Sequence, residues 1–154
     1  ATIQASSANG SDFFNSLLER LTFPDGSFDV FITQDVMQHI FHPDLAFKEF
    51  TRVLETGGSH IFTTPLGNHR HPSQRRAAPA PDGSVVSILP PVFHGNPMSS
   101  TGSLATIDWG MTFFHTSITI PALGPAYYYD DLTQGLKGQL LKVVVMNKRQ
   151  PPRL

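Results

Sequence analysis

The chain has 154 residues, enough for about one domain with a real core, and 11 Lys+Arg against 12 Asp+Glu leave a formal net charge of −1. No global basic field therefore recruits nucleic acid or an anionic membrane, and 40% hydrophobic residues with 12 Phe exclude general disorder. The absence of cysteine excludes disulfides, thiolate zinc sites and a cysteine nucleophile, while 12 Gly and 13 Pro forecast many turns.

Residues 1–12, ATIQASSANGSD, are small and polar and read as a flexible arm with no basic, apolar leader. Phe13, Phe14, Leu17, Leu18 and Leu21 follow at helical spacing and predict a short amphipathic helix. PDGS at 24–27 is a turn, since Pro24 presets φ and Gly26 accepts positive φ. Phe28 to Thr33, FDVFIT, is then expected as a strand buried on both faces.

Pro43 opens a predicted helix whose apolar face is Leu45, Ala46, Phe47, Phe50, Val53 and Leu54, ended by Gly57-Gly58. A second strand, Ser59 to Thr64, is stopped by Pro65, which completes a βαβ unit and hence a parallel pair. Residues 65–103 read as a long loop-rich insertion whose one short apolar run is Val85 to Leu89. Its cluster His69, Arg70, His71, Arg75 and Arg76 is locally basic, either a solvated loop or a contact for an anionic group. Three adjacent tyrosines, 127–129, read as a strand, and Leu140 to Met146 as another, with a polar tail beyond. No apolar run approaches the roughly 18 to 20 residues of a membrane span, so a cytoplasmic protein is expected.

Residues 21–65, LTFPDGSFDVFITQDVMQHIFHPDLAFKEFTRVLETGGSHIFTTP, resemble the central stretch of class I S-adenosylmethionine-dependent methyltransferases. There a turn of the type L-x-F-x-D-x-S-F-D leads into the fourth strand, a segment ending in Glu-His leads into a helix, and R-V-L-K-P-G-G leads into the fifth strand. PPVFHGNPMSSTGSLATIDWG, residues 90–110, and YYDDLTQGLKGQLLKVVV, residues 128–145, resemble a subgroup of the same family, so the likeness covers residues 13–148. It implies an α/β fold: a partial Rossmann-like methyltransferase sheet, the region of strands 4 to 7, with a long loop-rich insertion at 65–103 and a tail at 149–154. The family's glycine-rich cofactor loop is not visible; SSANGSD at 6–12 has one glycine and no preceding strand. Leu17 stands where the family often has Asp, Gln38 replaces the acid of Glu-His, and Glu55-Thr56 replaces Lys-Pro.

The resemblance implies S-adenosylmethionine as cofactor. Phe23, Gln34 and Asp35 are its expected contacts, His39 and Asp35 the expected catalytic groups, and His94 and Trp109 the expected substrate contacts. Most have a plain alternative. Asp35 can cap the next turn, His39 can serve a structural hydrogen bond, Phe23 can be core, and His94 can stabilise a Gly-Asn-Pro turn. His39 with His42, and His69 with His71, lack the framework of a zinc site, so no metal is expected. Two functions follow: methyl transfer to a small-molecule or glycan-type acceptor, or a non-catalytic binding and assembly subunit. With the first strands missing, residues 28–33 would form an exposed edge, predicting a homo-oligomer or a partner subunit there.

Overall fold

A computed structural model describes residues 18–68, 72–96, 99–110, 112–113, 124, 127–129 and 141–150. Strand β1 (Phe28–Gln34) is followed by a single 3-10 turn (Met37–His39), helix α1 (Pro43–Val53) and strand β2 (Leu54–Asn68). β1 and β2 are parallel, with Phe31 opposite His60 and Gln34 opposite Thr63, as the βαβ pattern predicts. On its other side β2 pairs antiparallel with β10 (Leu141–Asn147), which in turn pairs with β9 (Tyr127–Tyr129).

Helix α1 begins where Pro43, lacking an N–H, costs the first turn nothing, and Glu19 Oε1 accepts the His42 N–H just ahead of it. Ala46, Phe47, Phe50 and Val53 are fully buried against the sheet, but Leu45 faces solvent, one position off that stripe. The helix ends at Val53 rather than at Gly57-Gly58. Those glycines serve the sheet instead: a Cβ on Gly58 would stand 3.0–3.1 Å from the carbonyl oxygens of Phe28, Asp29 and Glu55. Gly57 has φ +87, and Lys148 brackets the pair, its N–H donating to the Gly58 carbonyl and its carbonyl accepting from Gly57. Lys148 thus ties the end of β10 to the start of β2.

β2 continues through Pro65 because its backbone partners change there, from β10 up to Pro65 to β8 (Ile107–Gly110) from Leu66 onward. β1 differs from the two-sided burial its composition predicts. Phe28, Phe31 and Thr33 point into the core, whereas Val30 is half-buried and Ile32 is 38% exposed. Among the described residues β2 is the only strand bonded to β1.

The core lies between α1 and one face of this sheet. Phe31, Phe47, Phe50 and Phe62 surround His60, which stacks on Phe62 at 4.5 Å between ring centroids, and Phe113 packs against Phe47 and Phe62. His60 is completely buried and its Nε2 lies 3.0 Å from the Thr33 hydroxyl, so burial pushes its pKa down to about 3. The ring is neutral at any physiological pH.

The insertion is built of ribbons rather than loop alone. β3 (Gln74–Arg75) pairs with β8, β4 (Ala77–Pro79) with β5 (Val85–Ser87), and β6 (Phe93–Asn96) with β7 (Ser99–Leu104). No described helix is long and apolar enough to cross a membrane.

Candidate functional site

Open α/β sheets bind ligands at the carboxyl ends of their parallel strands, and here that end is formed by Gln34, Asp35 and Thr63. Gln34 is exposed; Asp35 is half-buried and carries φ +51, the one positive φ on a described residue other than glycine. Such a backbone costs of order 1 kcal/mol unless its surroundings hold it. Thr63 holds it: the Asp35 N–H donates to Thr63 Oγ1 at 3.0 Å and to the Thr63 carbonyl at 3.2 Å. The Thr63 hydroxyl donates in turn to Asp35 Oδ1 at 3.0 Å.

The 3-10 turn then places Gln38 and His39 beside Asp35. Gln38 is 3% exposed; its Nε2 donates to the Asp35 carbonyl at 2.9 Å and lies 3.2 Å from His39 Nε2. On the other side of the ring, His39 Nδ1 meets the Leu104 carbonyl at 2.7 Å. Burial lowers the His39 pKa, the neighbouring His94 adds to that, and the Leu104 carbonyl and Asp35 oppose it. The two imidazoles stand edge to face at 5.3 Å, His94 being presented by β6.

The insertion and the segment that follows it are fastened around the same turn by main-chain and side-chain bonds. The Thr106 N–H donates to the Gln38 carbonyl at 2.8 Å and the Thr106 hydroxyl to the Ile40 carbonyl at 2.7 Å. Arg75 Nη1 donates to the Phe41 carbonyl, and Arg76 pairs with Asp108 and donates to the Pro90 carbonyl. These two members of the basic cluster are therefore committed to structure; His69, Arg70 and His71 lie outside the described residues.

Of the residues singled out in the sequence, Asp35, Gln34, His39 and His94 come to this one end of the sheet. Phe23 and Trp109 do not join them as ring platforms. Phe23 sits before β1 at its amino end, 37% exposed, edge-on to Phe28 at 5.2 Å. Trp109 is 4% exposed and packs against Phe113 in the core, its position on β8 alternating inward. Thr63 and Leu104 escape a motif search because they act through a hydroxyl that reads as strand filler and a main-chain carbonyl. No group of three His, Asp or Glu side chains able to hold a metal gathers among the described residues.

A two-layer α/β arrangement with a polar, strained corner at the carboxyl ends of its parallel pair is the class of protein that these elements define. The sequence model of the methyltransferase domain family matches residues 2–62, which take in β1, α1 and the first part of β2. The structure is similar to an S-adenosylmethionine-dependent methyltransferase from Mesorhizobium loti, at 15% identity and TM-score 0.52, over 85% of this chain and 67% of that one. It is also similar to a candidate enzyme of that kind from Listeria monocytogenes, at 9% identity and TM-score 0.50, over 86% and 67%. A third likeness, 12% identical with TM-score 0.52, is to the complex between the Haloferax volcanii Trm112 methyltransferase activator and its candidate methyltransferase, over 89% and 60%. No curated protein matches. The chain thus carries the Rossmann-like fold of the class I S-adenosylmethionine-dependent methyltransferases, and the resemblance read from residues 21–65 holds.

Proposed function

We propose that this chain forms the acceptor-side part of an S-adenosylmethionine-dependent methyl-transfer site, acting in the cytoplasm on a small-molecule or glycan-type acceptor. The observation that carries this reading is Asp35, held in a left-handed conformation by Thr63 where a parallel α/β sheet meets its ligand. The donor set fits the methionine end of the cofactor, because the Asp35 carboxylate and the exposed Gln34 amide offer acceptors for an ammonium group. Phe23, the expected adenine contact, lies at the opposite end of β1 against Phe28.

The cofactor supplies the methyl group as a sulfonium, so the protein's share is to position and desolvate. Asp35 orients the cofactor, and His94 with the insertion walls the acceptor side. His39 has both ring nitrogens occupied and supports the wall. Titration calorimetry with S-adenosylmethionine and its demethylated product tests the reading. Binding should weaken at least tenfold in Asp35→Asn, with the melting temperature unchanged; absence of heat and of thermal stabilisation at millimolar ligand would overturn it.

The exposed flank of β1 favours a second reading, a binding and assembly subunit. Ile32 and Val30 form an apolar strip on a strand bonded at one side only among the described residues. The Haloferax volcanii complex offers a precedent in which a methyltransferase activator is a separate chain. Light scattering should find a homo-oligomer that Ile32→Lys dissociates, and a monomer at all concentrations refutes this second role.

A further inference from the structure

The side chain of Gln38 is nine-tenths buried yet joins no secondary-structure ladder, and what it touches is a histidine. A carbonyl oxygen can only accept, so the 2.7 Å contact with Leu104 requires a proton on His39 Nδ1. The Gln38 amide nitrogen already donates to the Asp35 carbonyl, which fixes which end of the amide faces the ring. Its second N–H is therefore the group 3.2 Å from His39 Nε2, and that nitrogen must carry the lone pair.

We propose that Gln38 is a positioning residue that holds His39 as the neutral Nδ1–H tautomer, making the ring an uncharged strut between the carboxyl end of β1 and the end of β7. The strut acts with the two Thr106 bonds to this turn, and together they close the insertion onto the sheet. A second ring proton has no place in it, since Nε2–H would point at the Gln38 amide hydrogens. The titratable groups facing the ring are His94, edge-on at 5.3 Å, and Asp35, and they act on its charge in opposite senses. The assignment stands apart from the methyl-transfer reading, because the tautomer exists with or without cofactor.

Nitrogen-15 NMR of the imidazole rings tests it, with His39 assigned by its loss in His39→Asn. At pH 7 wild type should show Nδ1 protonated and Nε2 bare. Gln38→Glu places an acceptor against Nε2 and should protonate it, raising the His39 midpoint by at least one pH unit. The amide of Thr106 should then exchange with solvent at an altered rate. Gln38→Met, matched in length but without a donor, should leave Nδ1 protonated toward Leu104 while freeing Nε2 to take a proton, raising the His39 midpoint by a smaller amount, and serves where the glutamate is not tolerated. Nε2 protonated in wild type at pH 7, or a His39 ring unmoved in both Gln38 variants, overturns the proposal.

Discussion

Replacing His60 separates its charge from every other source of acid instability. The unfolded ring takes up a proton near pH 6.5, whereas the folded ring, enclosed by Phe31, Phe50 and Phe62, resists until about 3. The unfolded state therefore binds more protons throughout that window. Stability is complete above pH 6.5 and falls by about 1.4 kcal/mol for each unit below it. Between pH 7.5 and pH 5.0 the His60 contribution is a loss of about 2 kcal/mol, a large part of the 5–15 kcal/mol that holds an ordinary domain. His39 contributes in the same direction, so wild type alone does not isolate His60. His60→Phe keeps an aromatic ring in the cluster and removes the titration, at a fixed cost from the unpaired Thr33 hydroxyl and tighter packing. Urea unfolding of both proteins at the two pH values gives the difference of differences, in which that fixed cost cancels. Wild type should lose about 2 kcal/mol more than the variant, and equal losses within about 0.5 kcal/mol would refute the assignment of a neutral buried ring.

Gly58→Ala should cost about 1–3 kcal/mol, seen as a melting temperature several degrees lower, because its Cβ meets three backbone carbonyls that cannot rotate away; an unchanged melting point would contradict that packing. Gly102 combines φ +76 with a Cβ position that overlaps the His94 carbonyl, so Gly102→Ala should spread the β6–β7 ribbon and shift the His94 ring resonances while those of His60 stay in place. Arg52 donates to Asp25, Glu49 and the carbonyls of Leu21 and Phe23, and Arg52→Met should cost about 1–2 kcal/mol, since its ion pairs are partly exposed and the carbonyl bonds carry most of the effect. Unfolding in high salt checks the division: wild type should retain most of the difference.

The local signals in the sequence account for β1 and the start of α1 nearly to the residue, because an apolar β-branched run and a proline followed by a helical stripe act within a few positions. They misplace the end of α1 because Gly57-Gly58 looks like a helix stop when considered alone. Its reason is a close approach by β1 and Lys148, distant in sequence. The ribbons of the insertion were hidden for the same reason, since Ala77 pairs with Ser87 and Phe93 with Leu104 through backbone groups that every residue has. At the site, Asp35 and His39 stand out as residue types, but their partners do not: one is a threonine in a strand, another a main-chain oxygen. His60 was not distinguished from the other histidines, because burial is a property of the fold around it.

β2 is the strand to which β1, β10 and β8 all bond, and its neighbours emerge at very different times during synthesis. β1 and α1 precede it directly, so one flank is satisfied as soon as it appears. The other waits for β10, whose Lys142 faces Thr64 from about eighty residues downstream, roughly 4 to 16 s later at ordinary elongation rates. Throughout that interval the nascent chain displays an open row of amides and carbonyls along Ile61, Phe62 and Thr63. Chaperone demand should therefore concentrate on this half-made sheet, and a pause in translation before residue 141 is the event most apt to divert the protein into aggregates.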